Sequence, residues 1–185
     1  MEFMKRPMQK EEYGIVLDFL QHGRQASMER SAVAQVLGEK FLVLLEVIPR
    51  KGVSLVPGDR VYLGPDERDK IHHIAGRINY DKLTQTAKGE LDNFINKIVT
   101  EREKEFVEFF NKCGPISTRL HTLEILPGIG KKHMWDIINV RKEKPFESFE
   151  DIKNRIKLIP DPKHAIIKRI LEELENKDKY HLFVG

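Results

Sequence analysis

Leu126-Pro127-Gly128-Ile129-Gly130-Lys131-Lys132 is the stretch whose residue types and spacing most clearly suit a chemical task. Glycines on either side of Ile129 let the backbone turn sharply and approach a ligand with no Cβ in the way. Ile129 is suited to plugging that turn into a core. The following residues predict a helix over Lys131–Arg141, so its unpaired N–H groups and positive dipole end face whatever the turn approaches. Lys131 and Lys132 occupy the first helical turn, where acids would serve the dipole better and where ammonium groups suit a phosphate. The same stretch also reads as a plain helical turn with a glycine cap, or as a hairpin that contacts protein.

Other chemistry-bearing residues are less organised. Asp66, Glu67, Asp69, His72 and His73 invite a metal-site reading. Adjacent histidines on a strand should point to opposite faces, so at most one would join a given site. His22, His121, His133, His164 and His181 show no paired-ligand spacing, and no nucleotide-binding loop, nucleophile elbow or His-Glu-x-x-His is present. Arg60, Tyr62, Arg77 and Tyr80, with Arg50 and Lys51 nearby, could stack on bases or neutralise phosphates if they share an open sheet face. They read equally as ordinary solvent-face residues.

The elements that must hold these residues fall into two kinds. Residues 11–80 predict five or six short strands, at Tyr13–Leu20, Ala32–Leu37, Phe41–Ile48, from Val61 and over Ile71–Tyr80. Gly38-Glu39-Lys40 and Pro57-Gly58-Asp59-Arg60 supply turns, and Gln21–Arg30 a polar loop. Strands without intervening helices imply a small antiparallel barrel, of the oligonucleotide-binding (OB) type or SH3-like. Apolar residues at spacings of 3 and 4 between Leu91 and Phe110 predict one or two amphipathic helices, with a break at Gly89. Cys113-Gly114-Pro115 ends them. Ser117 is placed as the cap of a helix over Thr118–Leu126, Ser148 as the cap of one towards Leu158, and Lys163–Glu175 as a last helix. Tyr180–Val184 is apolar enough to dock, with an added strand as one form of docking. The expected organisation is α+β: an OB-like barrel over 1–80, a connecting amphipathic helix over 81–114 and an all-α domain over 115–185.

The segment 126–132 closely resembles the hairpin of helix-hairpin-helix proteins. Ile137, Ile138 and Arg141 fall where those domains have an apolar pair and a closing basic residue, and Pro145-Phe146-Glu147-Ser148-Phe149-Glu150-Asp151-Ile152 resembles their tandem connector. The resemblance implies that the amides of Gly128, Gly130 and Lys132 contact a nucleic-acid phosphate. It also implies that carbonyls of Glu124, Leu126 and Ile129 hold a bridging monovalent cation, K+ or Na+; such backbone contacts read no bases. Met134-Trp135 departs from the pattern, and Trp135 reads either as a core residue, the favoured reading, or as a stacking surface. The second hairpin, Ile159-Pro160-Asp161-Pro162, lacks glycine and carries an acid, which makes it structural packing. Nearly the whole chain is similar to the archaeal domain-of-unknown-function 655 family. Its marks are Glu12-Tyr13, Pro57–Tyr62, Leu123–Lys131, Pro145–Ser148 and Leu158–Pro162. That resemblance implies a barrel joined to a helix-hairpin-helix region, with RNA favoured over DNA; ribosomal or transcription components are the expected protein partners.

Composition sets the outer limits. The 185 residues carry 12 Lys+Arg against 11 Asp+Glu in 1–80, 6 against 7 in 81–114 and 14 against 11 in 115–185. No region is a dense basic footprint, so nucleic-acid binding must depend on where charges sit. The single cysteine, Cys113, excludes an internal disulfide and a cysteine-rich zinc site. With mean hydropathy −0.45, no membrane span and no apolar leader are expected, which places the protein in the cytoplasm. The expected function is non-enzymatic nucleic-acid binding through Gly128, Ile129, Gly130, Lys131, Lys132 and Arg141, assisted by Arg60, Tyr62 and Arg77. The rival is a protein-interaction adaptor using 83–112 and 180–184.

Overall fold

The computed structural model describes residues 9–23 and 31–185. Most of the expected Gln21–Arg30 loop lies outside the described residues. Five strands, β1 (Tyr13–Leu20), β2 (Val33–Gly38), β3 (Leu44–Pro49), β4 (Arg60–Tyr62) and β5 (Ile71–Arg77), form an antiparallel sheet ordered β4-β1-β2-β3-β5. A meander whose fourth strand returns beside the first is a Greek key. The sheet curls into a half-barrel, with β4 and β5 as its edges. β4 is only three residues long and is followed by Gly64-Pro65, which leaves little backbone with which to pair onward.

Local chemistry accounts for these strands. At Val56-Pro57-Gly58-Asp59 the Asp59 amide donates to the Val56 carbonyl at 3.1 Å and Gly58 has φ +95°, a type II turn. Alternating residues Val16, Ala34, Val36, Leu45, Val47 and Val61 form one buried cluster. Gln35 lies on the opposite face of β2, fully buried, and binds the Lys82 carbonyl and the Thr84 amide. Thr84 Oγ1 accepts the Ala87 amide at 3.0 Å and donates to Asp18, so it caps helix α1 (Gln85–Glu101). Gly89 lies within α1. The break comes instead at Arg102, before helix α2 (Glu103–Lys112), because an exposed glycine weakens a helix without breaking it.

The remaining elements are a short hairpin of β6 (Pro115–Ser117) and β7 (Leu120–His121), a 3-10 turn at Thr122–Ile125, and helices α3 (Lys131–Glu143), α4 (Phe149–Arg155) and α5 (Pro162–Leu174). The helix expected from Ser117 is replaced by this hairpin. His121 does the capping: its Nδ1 accepts the Leu123 amide while Glu124 accepts the His121 amide, a reciprocal capping box. Ser148 Oγ accepts the Asp151 amide as expected, but α4 stops at Arg155. Asp161 accepts the His164 amide and Pro162 opens α5, which explains the acid and prolines at that turn.

Two compact units result, one of Met1–Phe94 with Glu173–Gly185 and one of Ile95–Glu172. Their limits fall inside α1 and α5 and so cut across the division at 80 and 114. In the first unit, residues 182–184 dock without forming a strand. Their amides converge on the buried Glu173 carboxylate at 2.7, 2.9 and 2.9 Å. No helix among the described residues is long and apolar enough to cross a membrane.

Candidate functional site

The segment Leu126–Lys132 is held from below and open above. Leu126 and Ile129 are buried, and the Ile129 amide donates to the Leu126 carbonyl at 3.1 Å, closing the turn. Gly128 has φ +82°, a conformation that disfavours side chains, and it lies against Pro160. Gly130 is the extended N-cap of α3, and its carbonyl accepts the Met134 amide at 2.9 Å. The amides of Gly128, Gly130, Lys131 and Lys132 make no hydrogen bond among the described residues. Gly128, Gly130, Lys131 and Lys132 are all exposed. Lys132 forms a loose pair with Asp136 at 3.4 Å, whereas Lys131 has no ion pair among the described residues. The structure thus brings Gly128, Gly130, Lys131 and Lys132 to one surface point at a positive helix end.

Arg141 is placed differently from the expectation. Its Nη1 donates to the carbonyls of Phe110 and Cys113 at 3.0 and 2.9 Å and touches Cys113 Sγ, so it closes the C-terminal end of α2. Burial pushes the Cys113 thiol up despite the Arg141 charge. The connector is built in: Asn111 exchanges two hydrogen bonds with Phe146, and Glu103 accepts the Phe149 amide. Arg155 donates to the carbonyls of Val140 and Lys144 at the end of α3.

In the first unit the sheet candidates are also occupied. Arg60 grips both oxygens of Glu39 at 2.8 and 3.0 Å and lies 3.6 Å over the Tyr13 ring. The Glu39 hydrogen bond raises the Arg60 pKa further. Tyr62 donates to Asp66 and meets Tyr13 edge-on, while Arg77 donates to the carbonyls of Gly185 and Gln9. These residues hold turns and the closing segment in place.

His72 and His73 do not diverge as an ideal strand would make them. A bulge opposite Ile48 and Pro49 turns their rings together, with the Nδ1 atoms 2.7 Å apart. No three His, Cys, Asp or Glu side chains converge as a metal site among the described residues.

Trp135 is 56% exposed and not in the core. The buried stripe of α3 runs through Met134 and Ile137, and Trp135 turns out of it by about 100°. With Lys131, Ile138, Arg119 and Leu120 it lines a cleft of about 500 Å³. Burial, with the Arg141 charge, lowers the pKa of His121 on the cleft wall, against the pull of Glu124. Arg119 was not singled out from the sequence, and the exposed position of Trp135 is the alternative that the core reading set aside. Only the position of Trp135 just outside the Met134/Ile137 stripe could have signalled it.

Residues 10–185 match the family model described as "Protein of unknown function (DUF655)". The chain belongs to this family. It is 47% identical over 188 residues to the uncharacterized protein MJ0038 of Methanocaldococcus jannaschii, covering 100% of this chain and 85% of that protein. It is also similar to the crystal structure of Af1531 from Archaeoglobus fulgidus, with 47% identity and a TM-score of 0.85 over 95% of this chain and 100% of that one.

Proposed function

We propose that this protein binds nucleic acid without catalysing a reaction on it, with RNA preferred over DNA, and that the segment Leu126–Lys132 is a helix-hairpin-helix phosphate site. The observation that carries this reading is the set of amides at Gly128, Gly130 and Lys132 that make no hydrogen bond among the described residues, placed at the N-terminus of α3 beside Lys131, which has no ion pair among those residues. The Ile129 carbonyl accepts no hydrogen bond among the described residues and that of Leu126 accepts the Ile129 amide; on the helix-hairpin-helix reading these two, with the Glu124 carbonyl, would hold K+ or Na+ next to the phosphate. The half-barrel, read as an OB-like fold on its Greek-key order, serves as a scaffold whose Arg60, Tyr62 and Arg77 are internally engaged. Contacts through backbone phosphates suit a cytoplasmic role on structured RNA, with ribosomal or transcription components as neighbours.

The adaptor reading loses its best surface. Phe106 and Phe110 of α2 are buried, as is Val184, and the amides of residues 182–184 bind Glu173 within their own unit. A salt-dependent anisotropy titration of labelled single- and double-stranded RNA and DNA tests the proposal. Lys131→Glu with Lys132→Glu should weaken every ligand and reduce the salt slope by about 0.7–0.9 per lysine. Undiminished affinity in that double variant would remove the hairpin from the mechanism.

A further inference from the structure

We infer that the cleft beside the hairpin receives one unpaired base of a single strand, stacked on Trp135, while the hairpin holds an adjoining phosphate. The inference rests on the phosphate reading above and specifies its ligand. An indole left 56% exposed keeps a large apolar face in water until something covers it. Lys131 stands one helical turn before Trp135 on the same face of α3, and Ile138 follows on the cleft side. Opposite them, the β6–β7 hairpin contributes Arg119 and Leu120.

The charges around this cleft favour an anionic strand. Neither Arg119 nor Lys131 is ion-paired among the described residues. The acid that faces the cleft, Glu124, accepts the His121 amide at 2.9 Å, and His121 Nδ1 accepts the Leu123 amide, which favours a neutral imidazole. The formal balance of Arg119, Lys131 and Glu124 is therefore positive. An aromatic face with cations at its rim binds single strands by sequence-tolerant stacking together with backbone neutralisation. A closed duplex keeps its bases stacked on one another and offers none to the cleft.

Trp135 is the chain's single tryptophan, so its emission reports on the cleft without a label. The full chain would be titrated with an RNA and a DNA single strand of about twelve nucleotides, and with a blunt-ended duplex annealed from two strands, following emission and anisotropy together. Single strands should quench Trp135 strongly, and the duplex should bind with little quenching. Trp135→Ala should weaken single-strand binding roughly tenfold or more while changing duplex binding less than about twofold. Trp135→Phe, which keeps an aromatic face and a folded helix, should stay within about threefold of the parent. Single strands that bind with unchanged emission, and equally well to Trp135→Ala, would overturn the stacking inference and leave the hairpin reading standing. No binding of any ligand at low salt would overturn both.

Discussion

Gly128 turns its side-chain-free face onto the ring of Pro160: a Cβ built on Gly128 would lie 3.3 Å from Pro160 Cγ. The glycine-free second turn is thus the support against which the first turn is folded. Gly128 also sits at φ +82°, where an L side chain costs about 1–2 kcal/mol. Gly128→Ala is expected to lose about that much stability in chemical denaturation and to bind nucleic acid more weakly at all salts. Wild-type stability and affinity in that variant would show that neither the turn conformation nor its contact with Pro160 matters.

The buried carboxylate of Glu173 gathers the amides of Leu182, Phe183 and Val184. Glu173→Gln puts one carbonyl oxygen and an NH2 donor where two acceptor oxygens stood, leaving buried N–H groups unsatisfied at about 1–3 kcal/mol each. Limited proteolysis should then cut near Lys179 at a rate at which the parent remains intact. Equal cleavage of the two proteins would mean that the carboxylate does not secure this segment.

Much of this architecture was legible because it is written in local terms. Pro57-Gly58 specifies a type II turn, Ala34 and Val36 on either side of Gln35 mark one face of β2, and Ser148 announces α4. The roles of the arginines were not legible, because their partners are remote. Arg60 pairs with Glu39 across 21 positions, Arg141 with Cys113 across 28 and Arg77 with Gly185 across 108. A basic residue read alone looks free for phosphate, and only the fold shows what already holds it. The cap at His121 was hidden for a related reason. Ser117 is the better cap by type, yet the two-strand turn before His121 moves the start of helical backbone past it.

His121 should make stability depend on pH in a defined direction. Burial and the Arg141 charge hold its folded-state pKa below the ordinary imidazole value of about 6.5. The unfolded chain therefore binds the proton more readily, so this contribution is complete above about pH 6.5 and declines as pH falls from there towards the lower folded value. His121→Asn keeps a side-chain acceptor for the Leu123 amide and removes the titration. Its Tm should fall less steeply than the parent's between about pH 7 and 5. Parallel Tm curves would assign the pH dependence elsewhere.

Arg141 separates stability from binding most cleanly. Its guanidinium satisfies the carbonyls of Phe110 and Cys113, groups that a truncated side chain would leave open at the end of α2. Charge-assisted hydrogen bonds of this kind contribute about 1.5–3 kcal/mol, so Arg141→Ala should lower the denaturant midpoint clearly. Because the side chain faces α2, the folded variant should bind nucleic acid within about twofold of the parent, with the same salt slope, in contrast to Lys131→Glu. A loss of affinity with a shallower salt slope at unchanged stability would return Arg141 to the phosphate surface, and with it the role that its place in the sequence suggests.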